Sequence, residues 1–174
     1  EIPLRLVGSE MCIRDSTYDI AKDYVDDWIT VTDEEILMAF INLMEKHKLV
    51  AEPSGALSLA ALNKLNFYNK NVVSIISGGN IDMSFISQLI NRGLYETGRI
   101  TRINVEVPNI PGKLQSLLAD IAYTKANVIS IDHDSLKEAS RFKNINVEIT
   151  LETNGPDHVK KIHDVIAKKG YIIH

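Results

Sequence analysis

The stretch from Arg102 to Val107, RINVEV, alternates strictly between apolar and polar residues, and NINVEITLE, from Asn144 to Glu152, does the same. Successive side chains of a strand point to opposite faces, so Ile103, Val105 and Val107 share one face while Arg102, Asn104 and Glu106 share the other. In the second stretch Ile145, Val147, Ile149 and Leu151 alternate inward. Strands of this kind are covered on one side only. Between them the period changes: after the PNIPG turn, Leu114, Leu117, Leu118 and Ile121 recur at helical spacing. NVISIDH reads as another strand. A second helix is predicted from Pro156, burying Val159, Ile162 and Ile166 and stopping at Gly170 before a short YIIH strand. The order βαββαβ predicts a four-stranded antiparallel sheet with both helices on one face, the α+β ferredoxin-like arrangement. Its bare face and open edges predict pairing with a second copy.

Upstream, the grammar differs. A boundary is predicted near Arg99, after the glycine-containing GLYETGR, which divides the chain into 17–98 and 99–174. In VTDEEILMAFINLMEKHK, Thr32 and Glu35 have capping-box spacing and Val31 can staple onto Ile36. Acids open this helix, and Lys46, His47 and Lys48 close it, as the helix dipole favours. LVAEPSG breaks regular structure at Pro53 and Gly55 before ALSLAALNKL, which reads as a buried helix. Val72 to Ile76 is an apolar run broken only by Ser74, predicted as a strand covered on both faces. Helix, loop, helix, strand, turn, helix is a piece of an α/β layer.

With 174 residues, 45% of them hydrophobic, the chain can bury one ordinary core or two small ones. Lys and Arg number 19 against 23 Asp and Glu, a formal net charge of −4, and no basic tract is long enough to track a phosphate backbone. Nucleic acid is therefore not an expected partner. No apolar run approaches the roughly 20 residues that span a bilayer, and the N-terminus lacks the regions of a signal peptide. No membrane association is expected, and a cytoplasmic location follows. The single cysteine, Cys12, excludes an internal disulfide. It lies in EMCIRDS, which resembles the translation of a transposon-end adapter used in sequencing libraries, ATG TGT ATA AGA GAC AG. Residues 1–16 are accordingly expected to be foreign to the fold, with the native protein's beginning lost upstream.

Several residue sets look chemical without closing into a site. Asp132, His133 and Asp134 resemble a metal cluster, but on a strand the carboxylates point one way and the imidazole the other. His158 and His163 are five apart, about 140° around a helix. No HExxH, Walker A or dinucleotide fingerprint is present. No metal site is expected. The sharp SGGN turn is different, because a serine at the carboxyl end of a buried strand, followed by Gly78 and Gly79, sits where open α/β sheets bind ligands. Either the glycines merely make a turn and the Ser77 hydroxyl caps the next helix, or that hydroxyl meets a planar ring in the crevice. Glu52 in AEPSGA poses the same choice between a solvated loop acid and a carboxylate held at a site.

Taken together, VAEPSGALSLAAL, VVSIISGGNID, LINRGL and PNIPGKL, with YVDDWITVTDEEI and GYIIH, resemble the C-terminal portion of the threonine ammonia-lyases, or threonine dehydratases. The similarity covers Thr17 to His174. It implies an α/β fragment of a tryptophan-synthase-β-like (fold type II) pyridoxal-phosphate domain followed by an ACT domain of the βαββαβ kind. It implies as cofactor pyridoxal phosphate, and a reaction that converts L-threonine to 2-oxobutanoate and ammonia. By this resemblance the hydroxyl of Ser77 bonds the pyridine nitrogen, Gly78 and Gly79 give the ring room, and Glu52 lies beside cofactor and substrate. The lysine that carries the cofactor in the family belongs to its upstream half. No lysine here matches it, so no catalytic residue is nominated and the chain alone is expected to be inactive. ACT domains bind small effectors, usually amino acids. Asn109, Ile110, Pro111 and Gly112 match the effector turn, with Asn127 and Val128 approaching across a dimer. Other readings are a stand-alone amino-acid-binding ACT regulator, or a related serine dehydratase or racemase.

Overall fold

The computed structural model describes residues 21–133 and 144–174. Residues 1–16, read above as foreign, and Asp134 lie outside the described residues. The chain divides into two compact units, Glu1–Gly93 and Leu94–His174.

In the first unit, helix α1 spans Asp33–Asn42 and opens on the predicted reciprocal cap. The Thr32 amide donates to Glu35 Oε2 at 2.7 Å, and the Glu35 amide donates to Thr32 Oγ1 at 3.3 Å. The helix relaxes into a π-helical turn, Leu43–His47, and is stopped by Lys48 in the left-handed region, φ 57°. Pro53 opens a 3-10 turn, Pro53–Ala56, where a proline's fixed φ and absent N–H cost nothing. Helix α2 continues from it over Leu57–Leu62. This helix is shorter and less buried than ALSLAALNKL suggests: only Ala56 and Ala60 of the segment pack fully inside, against Ile36, Ala39 and Leu43. Helix α3, Met83–Glu96, crosses α1 at Gly93, where a Cβ would come within 2.6 Å of Ile41 side-chain carbons. Leu37, Phe40, Ile41 and Ile86 close that second core patch.

The predicted strand over Val72–Ile76 is corrected. The segment is not part of any strand pair among the described residues. Val73 is 88% and Ile75 75% exposed, while Ile76 packs on the α1–α2 core. A run apolar on both faces signals an affinity for cover, and no described strand supplies that cover.

The second unit matches its predicted order. Strand β1 (Ile100–Pro108), helix α4 (Lys113–Tyr123), β2 (Asn127–His133), β3 (Asn144–Glu152), α5 (Pro156–Lys168) and β4 (Ile172–Ile173) follow one another. The sheet order is β2-β3-β1-β4, with every neighbouring pair antiparallel. Val105, Val107, Val147, Ile149 and Leu151 are completely buried beneath Leu117 and Ile121 of α4 and Ile162 and Ile166 of α5. At ~1.5–3 kcal/mol per buried aliphatic side chain, this core dominates the unit's stability. The opposite face is polar: Arg102 pairs with Glu148 at 3.3 Å, and Asn144 donates to Glu106 at 2.8 Å. Strand β2 is an edge strand, with Ile129 and Ile131 exposed.

Candidate functional site

The first unit brings Glu52 and the SGGN turn together. The Glu52 amide donates to the Gly78 carbonyl at 2.7 Å. Gly78 adopts φ +72°, a region that suits glycine, and a Cβ there would strike the Glu52 side chain. Beside Gly79 the equivalent position is open space. Ser77 and Gly79 are exposed, and Gly78 and Glu52 are half-buried. A planar ring can therefore reach Ser77 and Gly79 from the open side, while Glu52 backs Gly78. To this extent the turn fits the cofactor that the sequence resemblance implies.

Ser77 does not cap the following helix. That cap is Asp82, which accepts the Ser84 amide at 2.7 Å and receives the Ile86 amide on its carbonyl. The Ser84 hydroxyl, and after it the Ser84 amide, hold the Asp82 carboxyl below its ordinary value of 3.8. A helix with its own cap leaves the Ser77 hydroxyl to other partners.

Three further residues hold the turn. Gly55 is buried, and a Cβ on it would fall on the Ser77 carbonyl oxygen. The Ser77 amide meets the Gly55 carbonyl at a long 3.5 Å. Two residues earlier, Ser58 Oγ donates to the Ile75 carbonyl at 2.6 Å, and Ser74 Oγ meets Ser58 Oγ at 2.9 Å. The only sequence signal for this arrangement is the small-residue run PSGA. Nothing in a linear reading joins Ser58 to Ile75.

In the second unit, Asn109–Gly112 form the turn between β1 and α4. The Ile110 amide donates to the Pro108 carbonyl at 2.7 Å, the Lys113 amide to Ile110 at 3.1 Å, and Gly112 has φ +88°. Asn127 and Val128 lie elsewhere. Asn127 sits opposite Glu152, which in turn sits opposite Ile100 at the start of β1. The nine residues of β1, at ~3.3 Å each, separate the two groups by roughly the sheet's full length. Within one copy they do not meet. Asn127 instead donates to Glu152 at 3.1 Å and lines an open polar cleft of about 380 Å³ with Arg99, Lys125, Thr153 and Asn154.

Residues 10–78 match a family of enzymes described as pyridoxal-phosphate dependent, a span that contains Glu52, Ser77 and Gly78. The chain is also similar to threonine ammonia-lyases. It is 41% identical to the L-threonine ammonia-lyase of Thermotoga maritima over 158 residues, 90% of this chain and 39% of that protein. It is 36% identical to the L-threonine ammonia-lyase of Geobacter sulfurreducens over 160 residues, 91% of this chain and 40% of that protein. The chain thus spans about two-fifths of the length of these relatives. Among solved structures, the prephenate dehydratase of Streptococcus mutans superposes with a TM-score of 0.34 at 18% identity, over 42% of this chain and 39% of that one. No described helix is long and apolar enough to cross a membrane.

Proposed function

We propose that this chain is part of a cytoplasmic, pyridoxal-phosphate-dependent threonine ammonia-lyase, which converts L-threonine to 2-oxobutanoate and ammonia, and that its second unit is an ACT domain sensing an amino acid. The observation that carries the reading is the homology to two threonine ammonia-lyases over nine-tenths of the chain, across both units. When bound, pyridoxal phosphate supplies an electron sink for the bond broken at the α-carbon. Ser77 would offer its hydroxyl to the pyridine nitrogen. A neutral hydroxyl leaves that nitrogen largely unprotonated, where a carboxylate would favour the cation. Gly79 keeps the approach open, and Glu52 backs the turn through Gly78. The lysine that carries the cofactor is assigned to no residue of this chain.

The effector reading needs two copies. Asn109–Gly112 and Asn127–Val128 occupy opposite ends of one sheet, so a shared pocket requires a partner turned end for end. An exposed β2 edge carrying Ile129 and Ile131 is the surface suited to that pairing. Effector binding then biases catalysis only through different affinities for two arrangements of the pair.

The test is the longer protein, assayed for threonine-dependent 2-oxobutanoate alongside serine. Ser77→Asp should abolish turnover while leaving the fold intact; undiminished activity would reject the role of Ser77. Titration calorimetry with isoleucine, valine and threonine reads the sensor separately. Heat of binding with no lyase activity would favour a regulator in which the second unit acts without catalysis, a reading suited by its self-contained core.

A further inference from the structure

We propose that Gly55 is a positioning residue for Ser77: its bare Cα is the seat on which the Ser77 carbonyl rests, and Ser58 is the clasp that holds the segment there. The inference rests on Ser77 meeting the cofactor.

The contact is one of backbone on backbone. A Cβ on Gly55 would lie far inside contact distance of the Ser77 carbonyl oxygen, and neither partner is the far end of a flexible side chain. Gly55 is buried in the 3-10 turn that Pro53 opens and α2 extends, so the seat belongs to a rigid element. Glu52, at the start of the same turn, donates to Gly78. Residues 77 and 78 are thus each held by the Glu52–Gly55 turn, one through an absent side chain and one through a hydrogen bond. Ser58, one helical turn further on, fixes Ile75, so the segment is gripped at three successive levels. Gly79, which has open space around it, is the first residue beyond that grip. A serine whose hydroxyl must meet a ring nitrogen needs its backbone fixed to a fraction of an ångström, and this turn provides the fixing.

The experiment uses the full-length lyase with Gly55→Ala, Ser58→Ala, Ser58→Thr, Ser77→Ala and Gly93→Ala. Gly93 is another close-packed glycine, where a Cβ would come within 2.6 Å of Ile41 side-chain carbons, away from the turn. Three readouts are the absorbance of the bound cofactor, its dissociation constant, and hydrogen exchange of residues 72–82 in the cofactor-free protein. Gly55→Ala should shift the absorbance, weaken cofactor binding by about tenfold and speed exchange over 72–82, with far-UV circular dichroism unchanged. Ser58→Ala should do the same more weakly and Ser58→Thr should restore it. Gly93→Ala should lower the melting temperature without moving the cofactor spectrum. If Gly55→Ala does not fold, the Ser58 pair decides. A cofactor spectrum altered by Ser77→Ala but untouched by both Gly55→Ala and Ser58→Ala overturns the positioning role and leaves the lyase reading standing. A spectrum indifferent to Ser77→Ala rejects the Ser77 contact, and the positioning role with it.

Discussion

The Glu52 side chain occupies the volume that a side chain on Gly78 would need, while the Glu52 amide holds the Gly78 carbonyl at 2.7 Å. The two residues are therefore exclusive as well as bonded. Gly78→Ala should cost ~1–3 kcal/mol, because alanine must adopt φ +72° and push the carboxylate aside. Chemical denaturation of the variant reads this directly; a loss below a few tenths of a kcal/mol would mean the turn rearranges freely.

The reciprocal cap at Thr32 and Glu35 gives a stability effect with a defined pH sign. A Lys64 hydrogen bond, followed by the Thr32 amide, lowers the Glu35 carboxyl from its ordinary 4.5. A depressed folded value means that the contribution is fully present above 4.5 and is lost as pH falls through the folded value. Glu35→Gln should therefore be less stable than the parent at neutral pH, with the gap narrowing as pH falls below about 4.5. Thermal melts across that range test it. Thr32→Ala should cost ~1 kcal/mol at neutral pH by removing the other half of the cap.

His158 uses both ring nitrogens. Nδ1 accepts the Asn154 amide at 3.1 Å, which places the ring proton on Nε2, 2.8 Å from the Thr124 carbonyl. It joins the start of α5 to the end of α4. The nitrogen chemical shifts of His158 should report the Nε2–H tautomer, and a Nδ1–H signature would contradict the assignment. His158→Ala removes both bonds, strands the carbonyl of buried Thr124 and should cost ~1–3 kcal/mol.

Ile131 lies on the edge strand, 40% exposed. A lysine there blunts a sheet edge, so Ile131→Lys should weaken self-association by about tenfold or more in sedimentation velocity. An unchanged sedimentation coefficient would reject pairing through this edge.

The second unit was legible because each of its signals was local. Strict alternation named the inward residues of β1 and β3, and Leu117, Ile121, Ile162 and Ile166 fell on their helix faces by spacing alone. The first unit was legible at its cap and at the Glu52 and Ser77 turns, but not in how these turns are joined. Gly55 reads in sequence as a breaker, and only the fold reveals that its missing side chain is a contact. The Asp82 cap had a signal in the DMS run, an acid two residues before a serine at a helix start. Ser77 competed with it for the same role. Val72–Ile76 failed for a different reason: composition reports a segment's appetite for burial and is silent about what satisfies it.

That unsatisfied segment has a practical outcome for anyone purifying the 174-residue polypeptide by itself. VVSII is uncharged, rich in β-branched residues and free of proline, with Val73 and Ile75 turned to water. Such a hem recruits its own kind. Preparations should cloud with rising concentration and bind thioflavin, and Val73→Lys should keep them clear.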